Sequence, residues 1–260
     1  MDTNHIPLYF SAMQASNDLE IIYQDADCVA INKPAGLASI PGRGETSSVL
    51  QQLAEQLNLP WSGSADPRLR VVHRLDKETS GVLLMAKNLP TQRLLSEQFQ
   101  NGKVQKEYLA LVAGRPSADA GTINAPLGPH PTSRDRMAVR KDGKQALTEW
   151  KVEERFRRFA LVRCFPRTGR THQIRVHLQS IGLPLAVDPL YHPNKGLFLS
   201  SFKRDYRPTR GEDERPLIAR LTLHAERLTF DHPSTGKAMI EAPLPKDFRA
   251  TLNQLRRHGR

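Results

Sequence analysis

The sequence predicts an α+β fold built on a largely antiparallel mixed sheet. Short β-rich runs recur along most of the chain, with Gly-, Pro- or Asp-containing turns between them. Helical spacing is confined to a few segments. Strands and helices do not alternate in the regular way that a parallel sheet requires.

Residues 1–18 are polar and patternless and read as a flexible N-terminal arm. Residues 19–23 and 28–32 are β-rich runs around the turn Gln24-Asp25-Ala26-Asp27, a hairpin that Lys33-Pro34-Ala35-Gly36 brings to an end. In 47–57, Val49, Leu50, Leu53 and Leu57 lie at helical spacing, and Ser47 or Ser48 can cap the start. Residues 91–99 repeat the pattern with Leu94, Leu95 and Phe99. From Tyr108 onward strand-like runs follow at 109–112, 146–152, 159–165, 221–223 and 228–230. Residues 194–216 mix both charge signs and read as a surface loop or an RNA-contacting insertion; residues 251–260 read as a basic C-terminal tail, disordered by default.

At 260 residues the chain is long enough to bury a real core, as one large domain or two small ones. With no internal repeat and no low-complexity linker, a single catalytic domain over 19–250 is the simpler expectation. Lys plus Arg outnumber Asp plus Glu by 38 to 27, a formal charge of +11, which favours an anionic partner such as nucleic acid over a neutral metabolite. Cys28 and Cys164 lie far apart in apolar runs and suit reduced, buried thiols, so an intracellular, cytoplasmic protein is expected. No apolar run approaches the ~18 residues needed to span a bilayer, and no export signal opens the chain, so no membrane partner is expected.

The most informative stretch is His73-Arg74-Leu75-Asp76-Lys77-Glu78-Thr79-Ser80-Gly81, set between the apolar runs 69–72 and 82–86. It reads as a loop that holds one carboxylate out of a packed scaffold. The flanking Arg74 and Lys77 favour the charged form of Asp76, which is then available as a nucleophile or base. This motif resembles the catalytic motif of the RluA-type pseudouridine synthases. Five further segments resemble that family in its order: Asn32-Lys33-Pro34-Ala35-Gly36, Lys106-Glu107-Tyr108-Leu109-Ala110-Leu111-Val112, RDRMAVRKDGKQALT at 134–148, TGRTHQIRVH at 168–177 and LHAERLTFDHP at 223–233.

The resemblance covers about residues 20–245 and implies a pseudouridine synthase-like catalytic domain, its sheet bent into two halves with a central cleft. It implies an isomerase that converts uridine to pseudouridine in rRNA or tRNA, acts as a monomer, and needs no cofactor and no metal. Asp76 is then the nucleophile, Tyr108 an active-site aromatic that stacks on the target base, and Arg175 the partner of the nucleophile. From the residues alone Tyr108 is an ordinary half-buried strand aromatic and Arg175 a solvated charge on a helical face shared by Ile174 and Leu178. In the family, the arginine matching Arg74 fills the stack that the extruded uridine leaves; a phosphate contact is the alternative.

Arg134, Arg136, Arg140, Lys141 and Lys144 surround Asp142-Gly143, which reads as a hairpin tip between two strands and, with the net charge, as a phosphate-binding loop. His172 and His177 are five apart without an HExxH form or a nearby cysteine, so zinc is disfavoured. His73 reads as a structural or phosphate-side hydrogen bonder. One departure stands out. Ala186-Val187-Asp188-Pro189-Leu190-Tyr191 keeps the family's Asp and Tyr but replaces two glycines, which predicts a different loop path and bears on substrate choice. Two rival functions remain. A non-catalytic RNA-binding protein gives Asp76 no task; a hydrolase pairing Asp76 with Glu78 has no need of the +11 charge.

Overall fold

The computed structural model describes residues 18–42, 47–61, 68–207 and 213–260. All but one residue of the expected N-terminal arm lie outside these, as do residues 208–212 of the charged loop. In chain order the elements are β1 (Ile21–Gln24), β2 (Cys28–Lys33), α1 (Val49–Gln56), β3 (Arg70–Val71), β4 (Ser80–Ala86) and α2 (Leu89–Gln100). Then come β5 (Gln105–Ala113), β6 (Ala120–Asn124), β7 (Leu127–Pro129), β8 (Met137–Val139), β9 (Leu147–Arg155) and β10 (Phe159–Pro166). α3 (Gln173–Ser180), β11 (Leu223–His232), β12 (Gly236–Glu241) and α4 (Lys246–His258) complete the set. The fold is mixed α/β with mostly antiparallel pairing, as the strand-rich pattern predicts.

The chain forms two compact units, one of residues up to Lys106 with Ala225–Pro243, the other of Glu107–His224 with Leu244–Arg260. In the first, β1 pairs β2, β2 pairs β4, β3 pairs the end of β4, and β11 pairs β12, all antiparallel. Every residue of β4 is buried. Cys28, Val82, Leu84, Leu95, Phe230 and Ile240 share one core. The two helices begin where the sequence offers caps: the side chains of Ser48 and Asn88 accept from the N–H groups of Gln51 and Thr91.

In the second unit β5, β10, β9 and β6 form consecutive antiparallel pairs. Alternation along the strands splits the core in two. Leu109, Leu111, Phe159 and Leu161 face α4 through Phe248, Leu252 and Leu255, whereas Ala110, Val112, Val162 and Cys164 face α3 through Ile174 and Leu178. Both cysteines are free and buried.

Three expectations are corrected. Residues 251–258 are not a disordered tail but most of α4, because Phe248, Leu252 and Leu255 recur at helical spacing and are buried. The runs at 221–223 and 228–230 are not two strands: 223–232 is one, since Ala225 to Arg227 stay in the ladder despite their polar neighbours. Asp142-Gly143 does form a turn, but not a hairpin tip between two paired strands. Its ends close onto β7, with Arg140 N–H donating to Pro126 O at 2.9 Å and Lys144 N–H to Leu127 O at 2.8 Å. The hairpin is β7 with β8, and 130–136 is its loop.

Candidate active site

Asp76 sits in the first unit, partly exposed, at the head of a β-turn that Thr79 N–H closes by donating to Asp76 O at 3.1 Å. Both of its neighbours are pinned from the interior. On one side Ser39 Oγ donates to Leu75 O (2.8 Å) while accepting from Leu75 N–H (3.1 Å). On the other, Lys77 O accepts from Gly36 N–H (2.9 Å) and from the ammonium of Lys33 (2.8 Å). Lys33 is wholly buried and also donates to Pro34 O (2.8 Å) and Leu37 O (2.7 Å). The two ends of the Asp76 turn are thus fixed through backbone carbonyls, and the carboxylate is carried on a rigid base. Arg74 is exposed, and Glu78 occupies the turn.

After the turn the chain enters β4 through Gly81, which pairs with Lys33 across the ladder. Its φ of +118° and the 2.1 Å that would separate a Cβ from Ala225 O admit only glycine. Of the two roles expected for His73, the structural one holds. Its Nε2 accepts from Leu84 N–H at 3.0 Å, its ring stacks on Phe99 at 4.4 Å, and burial, helped by the charge of Lys106, pushes the imidazole down to about 3.

The second unit holds the other expected residues. Tyr108 lies on β5 opposite Cys164, partly buried against the α3-side core. Arg175 is on α3, only 3% exposed, and grips Asp188 with two parallel bonds, Nε to Oδ2 at 2.9 Å and Nη2 to Oδ1 at 2.7 Å. It is therefore not a solvated charge. Asp188 Oδ1 also accepts from the N–H groups of Leu190 and Tyr191 (3.0 and 3.2 Å), so the carboxylate organises the loop in which two glycines are replaced.

Tyr191 is the hub of this unit. The guanidiniums of Arg136 and Arg175 lie 5.1 and 4.9 Å from its ring centroid. Its hydroxyl accepts from Met137 N–H at 2.7 Å and shares a hydrogen bond with His172 Nδ1, 2.8 Å away. His172 holds a left-handed backbone (φ 54°) at the start of α3. Burial raises the Tyr191 phenol and lowers His177. His177 is committed to Thr148 Oγ1 and Ala125 O, each at 2.9 Å.

The basic cluster does not act as one group. Arg136 is drawn in over Tyr191, and Arg140 is neutralised by a two-pronged pair with Asp142 (2.8 and 2.6 Å). Arg134, Lys141 and Lys144 are exposed. Among the described residues one trio has the composition of a metal site, Asp25, Cys28 and His232. Its protons point the other way. His232 Nδ1 accepts from the N–H groups of Ser234 and Thr235 (3.2 and 3.3 Å), which leaves the ring proton on Nε2, 2.8 Å from Asp25 Oδ2. Asp25 Oδ1 accepts from the N–H groups of Asp27 and Cys28 (both 2.8 Å), and burial raises the Cys28 thiol, so the trio reads as a knot of hydrogen bonds at the β1–β2 turn. No described helix is long and apolar enough to cross a membrane.

The sequence reading assigned no role to Lys33, Ser39, Asp188 or Tyr191, although Lys33 lies in one of the family-like segments and Asp188 and Tyr191 in the loop singled out for its replaced glycines. A lysine ending an otherwise apolar strand just before a proline is the one signal that Lys33 gives.

Comparison with known proteins gives a consistent result. A family model described as RNA pseudouridylate synthase matches residues 27–180. An uncharacterized RNA pseudouridine synthase of Bacillus subtilis is 41% identical over 244 residues, 93% of this chain and 74% of that protein. The ribosomal large subunit pseudouridine synthase D of Nitrosomonas europaea is 42% identical over 239 residues, 92% of this chain and 65% of that protein. Among solved structures, human RNA pseudouridylate synthase domain containing 1 matches with a TM-score of 0.68 and 26% identity, over 90% of this chain and 87% of that one. Human RNA pseudouridylate synthase domain containing 4 gives 0.65 and 28%, over 91% and 93%.

Proposed function

Because the chain belongs to the RNA pseudouridylate synthase family, we propose that it isomerises specific uridines of ribosomal RNA, with Asp76 as the nucleophile and the target base turned out of its stack. Family membership makes it an isomerase. The choice of ribosomal RNA is supported by the names of relatives such as the Nitrosomonas europaea protein; transfer RNA is the other substrate the sequence allows. We place the reaction in the cytoplasm and assign it to a monomer.

The reaction breaks the bond between ribose C1′ and uracil N1, turns the freed base, and joins C1′ to uracil C5. The proton displaced from C5 leaves and N1 gains one, so no electrons enter or depart and no cofactor is called for. A charged Asp76 serves either route, attack on C1′ or addition to the uracil ring. The observation that carries the proposal is the anchoring of Leu75 and Lys77 on both sides of Asp76, which fixes where the carboxylate stands. In the second unit Arg175 and Tyr108 are assigned to orienting the carboxylate and stacking on the base. Arg74 takes the place of the extruded uridine, whose unstacking costs about a few kcal/mol.

The test uses ribosomal and transfer RNA carrying tritium at uridine C5. Wild-type protein should release tritium from its substrate without cutting the strand or leaving an abasic site, and Asp76→Asn should release none while binding RNA normally. Parental turnover by Asp76→Asn would end the proposal. Arg74→Ala should lose more activity on a stem-loop than on an unfolded oligomer, and equal losses would remove the wedge from the account.

A further inference from the structure

We propose that a basic pocket at the C-terminal end of α4, in the second unit, is a binding site for RNA phosphodiesters. The proposal rests on the reading of the chain as an RNA-modifying enzyme and extends it to residues outside the family-like motifs, two of which, Lys203 and Arg204, lie in the charged segment 194–216. The pocket, of about 290 Å³, is lined by Arg157, Lys203, Arg204, His258 and Arg260. None of them lies in the segments at 73–81, 106–112, 134–148 or 168–177, no carboxylate side chain is among them, and the one aromatic ring is that of His258.

Eight arginines elsewhere in the molecule are paired with carboxylates, while Arg158 and Arg170 bond backbone carbonyls. Arg140, Arg155, Arg163, Arg167, Arg175, Arg220, Arg227 and Arg256 each meet an Asp or Glu within 3.0 Å. None of the five pocket side chains takes part in an ion pair among the described residues. Like charges gathered around one cavity repel each other, and that cost is recovered when an anion enters.

Compensation of the α4 dipole does not account for the gathering. A helix C-terminus carries about half a negative charge, already faced by Arg256 and Arg257 in its last turn. Arg157 comes from the β9–β10 turn, and Lys203 and Arg204 from the segment after the short turn Leu199–Ser201.

The base of the pocket is rigid. Arg157 N–H donates to Gly259 O at 2.6 Å, Lys203 N–H to Leu199 O at 2.9 Å, and Phe156, Phe159, Phe202 and Leu255 form the core behind it. Three segments are thus locked together with their cations converging. Planar guanidiniums suit the paired oxygens of a phosphate, and a lining dominated by cations, without Phe, Tyr or Trp, suits the RNA backbone more than its bases. Its role is to lengthen the grip on RNA.

The experiment titrates a fluorescent RNA stem-loop substrate with wild-type protein and with Arg157→Ala/Arg204→Ala from 50 to 200 mM KCl, alongside tritium release at saturating RNA. Losing one or two phosphate contacts should flatten the slope of log Kd against log salt by about 0.7 to 2. Affinity should fall by about tenfold or more at the lower salt, with kcat unchanged and partial recovery in Arg157→Lys/Arg204→Lys. All these side chains but Lys203 are well exposed, so the thermal midpoint should hold; Arg204→Glu alone is the second variant and should weaken binding further than Arg204→Ala. An unchanged slope and Kd would overturn the proposal, as would a loss of kcat without a change in slope. Loss of affinity for polyglutamate but not for RNA would also overturn it, by assigning the pocket to an acidic protein. A flattened slope in a protein that makes no pseudouridine would leave the pocket standing and the proposed activity refuted; an active enzyme with an unaltered slope would do the reverse.

Discussion

Lys33→Met isolates what the buried ammonium does for the Asp76 turn. Lys33 is 0% exposed, and its Nζ donates to three carbonyls at 2.8, 2.7 and 2.8 Å, those of Pro34, Leu37 and Lys77. Methionine keeps the length and packing of the stem and deletes only the donors. Lys77 O keeps its bond from Gly36 N–H, so two acceptors lose their donor; at about 1 kcal/mol or more each that gives about 2 kcal/mol, partly offset because no charge then has to be buried. For a chain of this size that is about 4–8 °C in Tm, at about 2–4 °C per kcal/mol. The effect on turnover should be larger. Lys77 O, one residue from Asp76, keeps only one of its two donors, and a displacement of about 1 Å at a reacting group costs on the order of a hundredfold. The assay is tritium release at a temperature well below the variant's Tm, with KM for RNA measured alongside. A fall in kcat with KM nearly unchanged identifies Lys33 as a positioning residue. Normal kcat in a destabilised variant would show that Lys33 supports the fold and not the turn, and normal values of both would refute the reasoning altogether.

Three other outcomes follow from the geometry. Asp188→Ala strips a buried guanidinium of its two-pronged partner and should cost about 3 kcal/mol or more in urea unfolding, with a loss of turnover because Arg175 and Tyr191 lose their anchor. Gly81→Ala places a methyl 2.1 Å from Ala225 O at a φ of +118°, so it should express poorly or melt far below wild type; a near-normal Tm would contradict the β4 geometry. His73 is held neutral when folded, down to about 3 against 6.5 in the unfolded chain. Its contribution to stability is therefore complete above pH 6.5 and drains away as pH falls from 6.5 toward 3, by up to about 1.4 kcal/mol per pH unit. In His73→Leu, urea midpoints between pH 7 and 4 should fall less steeply than in wild type, and identical pH slopes would count against the burial.

The Asp76 motif was legible in the sequence because its residues differ in kind from their surroundings. An Asp between cations, framed by apolar runs, stands out without any structure. The cap of the first helix and the first hairpin were legible for a similar reason, since Ser48 and Asp25 act within a few residues of themselves, whereas the Asn88 cap of α2 was passed over. The C-terminal helix was overlooked because its basic residues, at 256, 257, 258 and 260, drew the eye away from Phe248, Leu252 and Leu255, which decide its state. The turn at 142–143 was found and its partner missed: turn chemistry is local, whereas closure onto Leu127 is not.

The residues that hold the site in place share a different difficulty. Lys33 acts on carbonyls, which every residue carries, so nothing at positions 34, 37 or 77 marks them as its acceptors. Asp188 acts partly on backbone N–H groups and on an arginine 13 residues earlier in the chain. Only its burial beside that arginine distinguishes it from a surface carboxylate. Chemistry selects side chains that are rare in their setting and so leaves a trace in the sequence; positioning selects geometry between common groups and leaves almost none. The buried lysine before Pro34 is the exception that can be used. A charge at the end of an otherwise apolar strand must have found its acceptors nearby, and here two follow within four residues, at Pro34 and Leu37, while the third, Lys77 O, lies in the loop that carries Asp76.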